Sequence, residues 1–195
     1  MTILTAEQTK ALTDRLMKFS KADECIVSIN GARTGNIRFA RNTVSTAGLS
    51  DDTGIAVQVA FGKRQGTATI NEFDDKSLEK VVRRAEDLAR LAPENPEFMP
   101  AVAKQVYKPS DTFSARTAAI DPEFRAQAAA YALEACRKQN LVAAGFFTDR
   151  TSFSTIANSN GVFGHQAVTG LDFTTACVRA PARRGRCGPP LCSFR

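Results

Sequence analysis

The sequence has no tryptophan and a single histidine, His165. Without tryptophan, large aromatic packing falls to 13 phenylalanines and two tyrosines. With one histidine, the paired imidazoles of a zinc peptidase cannot be written anywhere in the chain. No phosphate-cradling loop is present, because Gly62-x-x-x-Gly66 is not followed by Lys and Ser or Thr. No apolar run approaches the roughly 20 residues that cross a bilayer. The start, MTILTAEQTK, has no apolar stretch behind a basic one, so no signal peptide is expected. Together these absences point to a cytoplasmic chain. Its 195 residues suffice for one domain, or one and a half, with a real core. Cys25 and Cys136 fall in apolar strand and helix patterns and read as buried free thiols of a reducing compartment.

What is present is strand alternation. Ile55, Val57 and Val59 recur every second residue and share a face, with Ala56, Gln58 and Ala60 on the other. A turn at Lys63-Arg64-Gln65-Gly66, just after Gly62, returns the chain through Thr67 to Ile70, which makes a β-hairpin. Ile37, Phe39 and Val44 suggest a further strand around Arg38, Arg41 and Asn42, and Cys25–Ile29 another. The first half therefore reads as a meander of about four strands. In the second half, Leu141–Thr148, Arg150–Asn158, Val162–Val168 and Leu171–Val178 alternate. Asn158-Ser159-Asn160-Gly161 is a turn whose Asn160-Gly161 pair supplies positive φ.

Helices separate these strands. Thr5-Ala6-Glu7-Gln8 fits a capping box, followed by Ala11, Leu12, Leu16 and Phe19 at helical spacing. Leu78, Val81, Val82, Ala85, Leu88 and Ala89 form an apolar stripe after an Asp74 or Asp75 cap, with Lys80, Arg83, Arg84 and Glu86 turned outward. Pro93, Pro96, Pro100 and Pro109 punctuate residues 92–115, a long extended connection. Asp121-Pro122 starts a third helix through Phe124, Ala128, Tyr131, Ala132 and Ala135 to about Gln139. Grouped antiparallel strands with intervening helices predict an α+β fold rather than a doubly wound parallel sheet.

The stretches Ile37-Arg38-Phe39-Ala40-Arg41-Asn42, Gly54-Ile55-Ala56-Val57-Gln58-Val59 and Gly62-Lys63-Arg64-Gln65-Gly66-Thr67-Ala68, in that order, resemble the N-terminal domain of the TldD/PmbA family. The helix from Ser77 to Leu91 and the later Ile156-Ala157-Asn158-Ser159-Asn160-Gly161 extend the likeness, from about Ala6 to Arg179. The resemblance implies a cytosolic hydrolase system for proteolysis of peptides, historically described as a modulator of DNA gyrase. In it a zinc metallopeptidase (TldD) with an H-E-x-x-x-H motif pairs with a zinc-free partner (PmbA, also called TldE). It also implies a homo- or hetero-oligomer with a family subunit and a peptide substrate. This chain departs from the TldD pattern, having no His-Glu pair. The expected reading is the N-terminal scaffold of a longer parent, truncated, without catalytic or metal residues of its own and inactive alone.

The character of the chain changes near Val178. Residues 1–178 are expected to form the α+β domain and residues 179–195 a tail rich in Arg, Pro and Cys. Five of the 26 basic residues and no acid lie in residues 178–195, so the rest is close to neutral and the net charge of +6 comes mostly from the tail. A tail of this composition is disordered, or is the product of a shifted reading frame. The rival readings are a basic arm for nucleic acid or an anionic membrane and a metal site on Cys177, Cys187 and Cys192. Their C-x9-C-x4-C spacing matches no zinc module, and no aromatic and basic interleaving elsewhere supports nucleic-acid binding.

Individual residues offer little chemistry. His165, without a second ligand at useful spacing, reads as a strand residue near a hairpin. Asp51-Asp52 and Asp74-Asp75 read as turn and capping residues rather than metal pairs. Arg38 and Arg41, alternating with apolar partners on a strand, and Asn42 remain candidates for touching a peptide or a partner subunit. The alternative to a peptidase scaffold is a module that binds a peptide or a subunit by strand addition.

Overall fold

The computed structural model describes residues 3–108, 110–179 and 192–194. The fold is α+β, with antiparallel strand pairing and flanking helices. Helix α1 (Ala6–Phe19) leads into strands β1 (Glu24–Ala40), β2 (Thr43–Phe61) and β3 (Arg64–Ile70). Helices α2 (Asp75–Leu91), α3 (Ala115–Ala118) and α4 (Pro122–Lys138) follow, then β4 (Leu141–Asn158), β5 (Phe163–Arg179) and the short β6 (Cys192–Phe194). The sheet order is β3-β2-β1-β4-β5-β6.

The strands are longer than the alternation suggests. β1, β2, β4 and β5 run 17, 19, 18 and 17 residues, so pairs of expected strands fuse into one. Asp51 and Asp52 lie inside β2 and are not turn residues. The turns also shift. The β2–β3 turn is the two residues Gly62-Lys63, with Gly62 at φ 56, and β3 already begins at Arg64. Arg41 and Asn42, read as strand residues, instead form the two-residue β1–β2 turn, with φ 52 and 59. Two successive positive φ values are what a tight hairpin of this kind requires, and Asn tolerates them best. In the β4–β5 turn Gly161 has positive φ and Asn160 does not.

The described residues gather into two compact units. One comprises Met1–Ala32, Asp51–Thr112 and Ser152–Ala167. Its core joins Val27 and Ile29 of β1, Ile55, Val57 and Val59 of β2, Leu78, Val82 and Ala85 of α2, Leu16 of α1 and Phe153 of β4. Helix α2 lies close on β3: a Cβ at Gly66 would overlap the Ala85 carbonyl and the Ala89 backbone. Small residues at all three positions permit that approach. Glu86 departs from expectation, being buried rather than turned outward. Its carboxylate accepts the Lys21 N–H (2.6 Å) and a bond from the Arg83 guanidinium (2.8 Å). It thereby holds α2 to the segment joining α1 and β1.

Helix α1 begins as expected, with both capping-box bonds formed, Thr5 N–H to Gln8 Oε1 and Gln8 N–H to Thr5 Oγ1. Its buried line, however, is Thr9, Thr13 and Leu16. The two threonine hydroxyls donate to helix carbonyls, which lets polar residues face the core. The proline-rich connection is held to this unit by Asn158 Nδ2 and Asn160 Nδ2, which donate to the Val102 and Ala101 carbonyls. The Ala101 N–H in turn donates to Glu24.

The second unit comprises Arg33–Ser50, Phe113–Thr151 and Val168–Arg195. Helix α4 starts at its Asp121 cap with Pro122 in the first turn. It buries Arg125, Ala129, Leu133 and Cys136 against Ile37, Phe39, Ala143 and Phe147. The expected stripe is rotated, since Phe124 and Tyr131 are exposed. Cys25 is a buried free thiol, but Cys136, expected to be free, is bonded to Cys177. Cys177 packs against the same apolar cluster, which brings the two sulfurs together. The expectation of a disordered or frame-shifted tail falls mostly on residues outside those described. Cys192–Phe194 pairs antiparallel with Thr175–Cys177.

Glu86→Ala would leave the Lys21 N–H and the guanidinium groups of Arg83 and Arg90 without their buried partner. The expected loss is about 3 kcal/mol of stability in urea unfolding. A loss below about 1 kcal/mol would mean that Glu86 behaves as a surface charge.

Candidate functional site

The three residues singled out for contact lie together at one end of the β1–β2 hairpin. Arg38 is exposed on β1, its guanidinium 5.7 Å from the centre of the Phe146 ring. Arg41 is exposed in the turn. Asn42 is committed elsewhere. Its Nδ2 donates to the Leu141 carbonyl (2.9 Å), its Oδ1 accepts the Ala143 N–H (2.6 Å), and its own N–H donates to the Ala143 carbonyl (3.2 Å). Its carbonyl also accepts from Arg137. The turn is thus latched to the start of β4, with the Asn42 side chain engaged at both its nitrogen and its oxygen.

Beside this turn, β2 presents an open edge. Register with β3 covers only Ile55–Phe61, opposite Arg64–Ile70. Among the described residues, Thr43–Ser50 has β1 on one side and no strand on the other. All eight residues are exposed. A groove of about 230 Å³ lies against this edge, lined by Asn36, Ile37, Ala47, Gly48, Leu49, Pro122 and Arg125. Arg125 is buried and binds Asp149 through both carboxylate oxygens, with Nη2 to Oδ2 at 3.2 Å. Gly35 makes room for it, because a Cβ there would overlap the guanidinium. The positive charge beside the groove is therefore already matched.

Nothing in these places resembles acid–base or nucleophilic machinery. A depression of about 530 Å³ at the end of β3, lined by Asn30, Gly54, Ile55, Ala56, Thr69, Ile70 and Asn71, contains no titratable side chain. His165 Nδ1 lies 2.8 Å from Thr155 Oγ1 and 3.3 Å from Thr9 Oγ1, and the ring stacks on Phe153. Cys25 is raised to about 11 by burial, against a smaller lowering by Ser20, so its thiol is protonated and unreactive at neutral pH. The one imidazole is engaged by threonines, and no three His, Cys, Asp or Glu side chains gather to hold a metal among the described residues.

Sequence reasoning missed the Arg125–Asp149 pair and the Asn42 latch. The only sequence signal for the latch was the Arg-Asn pair between two apolar alternations. The Asp149 partner had none, since the two residues are 24 positions apart.

Asn42→Ala removes two hydrogen bonds to β4 and is expected to cost about 2 kcal/mol. Arg38→Ala should change stability by less than about 0.5 kcal/mol, as for an exposed side chain. Urea unfolding of both variants checks this, and equal losses would refute the latch. His165 gives a pH signature. Burial holds its imidazole below the ordinary 6.5, so the folded chain favours the neutral ring. As pH falls below 6.5, the unfolded chain takes up the proton first and stability declines until the folded ring titrates too. His165→Gln should remove that part of the slope, and a variant with the parent slope would exclude His165 as its source.

Residues 25–89 match the family model described as PmbA/TldA metallopeptidase domain 1. No curated protein sequence matches the chain. Among solved structures it is similar to TldE from Thermococcus kodakarensis, with 16% identity, TM-score 0.78, and coverage of 96% of this chain and 41% of that one. It is also similar to a candidate modulator of a DNA gyrase from Thermotoga maritima, with 16% identity, TM-score 0.77, and coverage of 90% and 41%. A third, a candidate modulator of DNA gyrase from Bacteroides thetaiotaomicron, gives 15% identity, TM-score 0.73, and coverage of 93% and 44%. The chain spans about two fifths of the length of these structures. Residues 25–89 thus match the first domain of that family model, and the chain shares the fold of these structures over about two fifths of their length.

Proposed function

We propose that this chain is the N-terminal scaffold part of a TldD/PmbA-type metallopeptidase, or of the zinc-free partner of one, and serves proteolysis of peptides in the cytoplasm. The observation that carries the reading is the family match over Cys25 to Ala89, to a domain described as part of a metallopeptidase. The donor inventory supports a non-catalytic role for the chain itself: one histidine in the whole sequence, and buried carboxylates that already hold backbone or guanidinium groups. No described helix is long and apolar enough to cross a membrane. The partner is a subunit of the same family, and the substrate is a peptide. Zinc and its glutamate belong to the catalytic subunit, where they supply the activated water.

A second reading is a module that acts by strand addition, binding an extended peptide or a subunit. The open edge of β2 favours it. The two readings are compatible, since a scaffold can hold substrate for a neighbouring metal site.

The purified chain is expected to contain no stoichiometric zinc by elemental analysis and to cleave no peptide. It should co-elute with a zinc-bearing TldD-type subunit in size-exclusion chromatography. One zinc per chain, or peptidase activity from the chain alone, would overturn the non-catalytic assignment. Failure to co-elute with any family subunit would overturn the partner assignment.

A further inference from the structure

We propose that Asn160, in the β4–β5 turn, is a site of spontaneous deamidation, and that its change to aspartate or isoaspartate releases the proline-rich connection at Ala101. The reaction needs only water. The Gly161 backbone nitrogen, having lost its proton to solvent, attacks Asn160 Cγ. A C–N bond forms, the Cγ–Nδ2 bond breaks, and ammonia leaves with a proton from solvent, giving a five-membered imide. Water then adds to one of the two imide carbonyls. Opening at one gives aspartate. Opening at the other gives isoaspartate, which carries an extra methylene in the main chain. No electron is transferred. Glycine obstructs this attack least, because it has no Cβ and few limits on φ.

The sequence contains two Asn-Gly pairs, Asn30-Gly31 and Asn160-Gly161, and the structure separates them. Asn30 and Gly31 lie inside β1, which has β2 on one side and β4 on the other. Gly31 is buried, and the Phe153 ring fills the space where its Cβ would stand. Asn30 Oδ1 also accepts from Ser154 Oγ at 2.7 Å. Bringing Asn30 Cγ onto the Gly31 nitrogen would require β1 to leave the sheet. Asn160 and Gly161 instead lie between strands, and both are exposed. Gly161 has φ 88, and a Cβ there would meet Lys104 Cβ at 3.7 Å, an ordinary contact, so an imide ring is not crowded. The Gly161 N–H donates to the Asn158 carbonyl at 3.2 Å, and Asn160 Nδ2 donates to the Ala101 carbonyl at 2.7 Å. Opening these bonds in an exposed turn is a smaller event than opening a paired strand.

The product does not fit the contacts of the asparagine. The Ala101 carbonyl accepts from Asn160 Nδ2, and the Ala101 N–H donates to Glu24 at 2.9 Å. An aspartate carboxylate only accepts hydrogen bonds, so it would face the Ala101 carbonyl with no proton to offer. Isoaspartate would also lengthen a turn that the Asn158 side chain closes, its Oδ1 accepting from the Asn160 and Val162 N–H groups. Of the two side-chain amides that hold the connection, only that of Asn158, on the Val102 carbonyl, would remain. The attachment therefore loosens with the age of the chain.

The test incubates the full 195-residue chain at mildly alkaline pH, which speeds loss of the Gly161 amide proton, and follows it by peptide mapping with fragmentation that tells aspartate from isoaspartate. Cleavage after Lys and Arg puts the two asparagines in separate peptides, 22–33 and 151–179. A zero-time sample, digested alike, sets the background. Both products should accumulate at residue 160 more than about tenfold faster than at residue 30, because only residue 30 needs a paired strand to open. In urea the two rates should converge. Equal rates in the folded chain, or no product at residue 160, would overturn the site. A difference that persists undiminished in urea would assign the preference to local sequence and overturn the role of the fold. Asn160→Gln, whose longer side chain closes an imide far more slowly, should remove the mass gain of peptide 151–179. A gain that persists in this variant would place the reaction at another residue. Asn160→Asp should speed amide exchange at Ala101 about fivefold, as for one lost hydrogen bond. Unchanged exchange there would overturn the release of the connection.

Discussion

A nineteen-residue strand lies beside a seven-residue one, and the rest of the reading depends on that mismatch. Each residue of β2 brings a backbone donor and an acceptor that need partners. β1 supplies one side for the strand, but β3 ends at Ile70, opposite Ile55. Beyond that point the edge depends on water or on another chain. A protein that had no use for this edge could have covered it with charge, proline or a helix. Here Thr43–Ser50 carries neither charge nor proline, Asp51 and Asp52 follow it, and its start is fixed by the turn at Arg41-Asn42.

The buried polar groups show where the chemistry of the chain is spent. Glu86 holds the approach to β1, Asp149 holds Arg125, Asn42 holds the start of β4, and Asn158 holds the turn before β5 and the Val102 carbonyl. Each is matched to a specific backbone or charged partner, so burial does not leave it poised for reaction. Buried networks of the kind seen here stiffen a scaffold. The single histidine follows the same pattern, set between two threonines and a phenylalanine ring.

The elements were legible where side chains carry the period. The capping box at Thr5, the α2 stripe, the Asp121-Pro122 start and the β2–β3 hairpin all follow local rules, and each is present. Strand length was not legible, for a physical reason. On β4 the buried positions run at every second residue from Phe147 to Ala157, but they include Asp149 and Thr155. On β1 the same parity passes through Gly31 and Gly35. Those residues are polar because they pair inside, or absent of side chain because a ring or a guanidinium occupies the space. Either way the apolar alternation stops while the strand continues. The helices failed similarly: Thr9 and Thr13 face the core because their hydroxyls bond the helix backbone, and Glu86 because Lys21 and Arg83 receive it. Of the candidate site, Arg38 and Arg41 stayed exposed, while Asn42 was misread because a turn residue and a strand residue look alike between two apolar runs.

This division between legible and hidden parts bears on function. Catalytic sites announce themselves through residue types, since zinc needs imidazoles and a base needs a carboxylate at a set spacing. A strand edge announces nothing, because its working atoms are the backbone that every residue shares. The uncovered part of β2 includes an eight-residue stretch, Thr43–Ser50, with no charged residue and no proline, and only the end of β3 opposite Ile55 marks it.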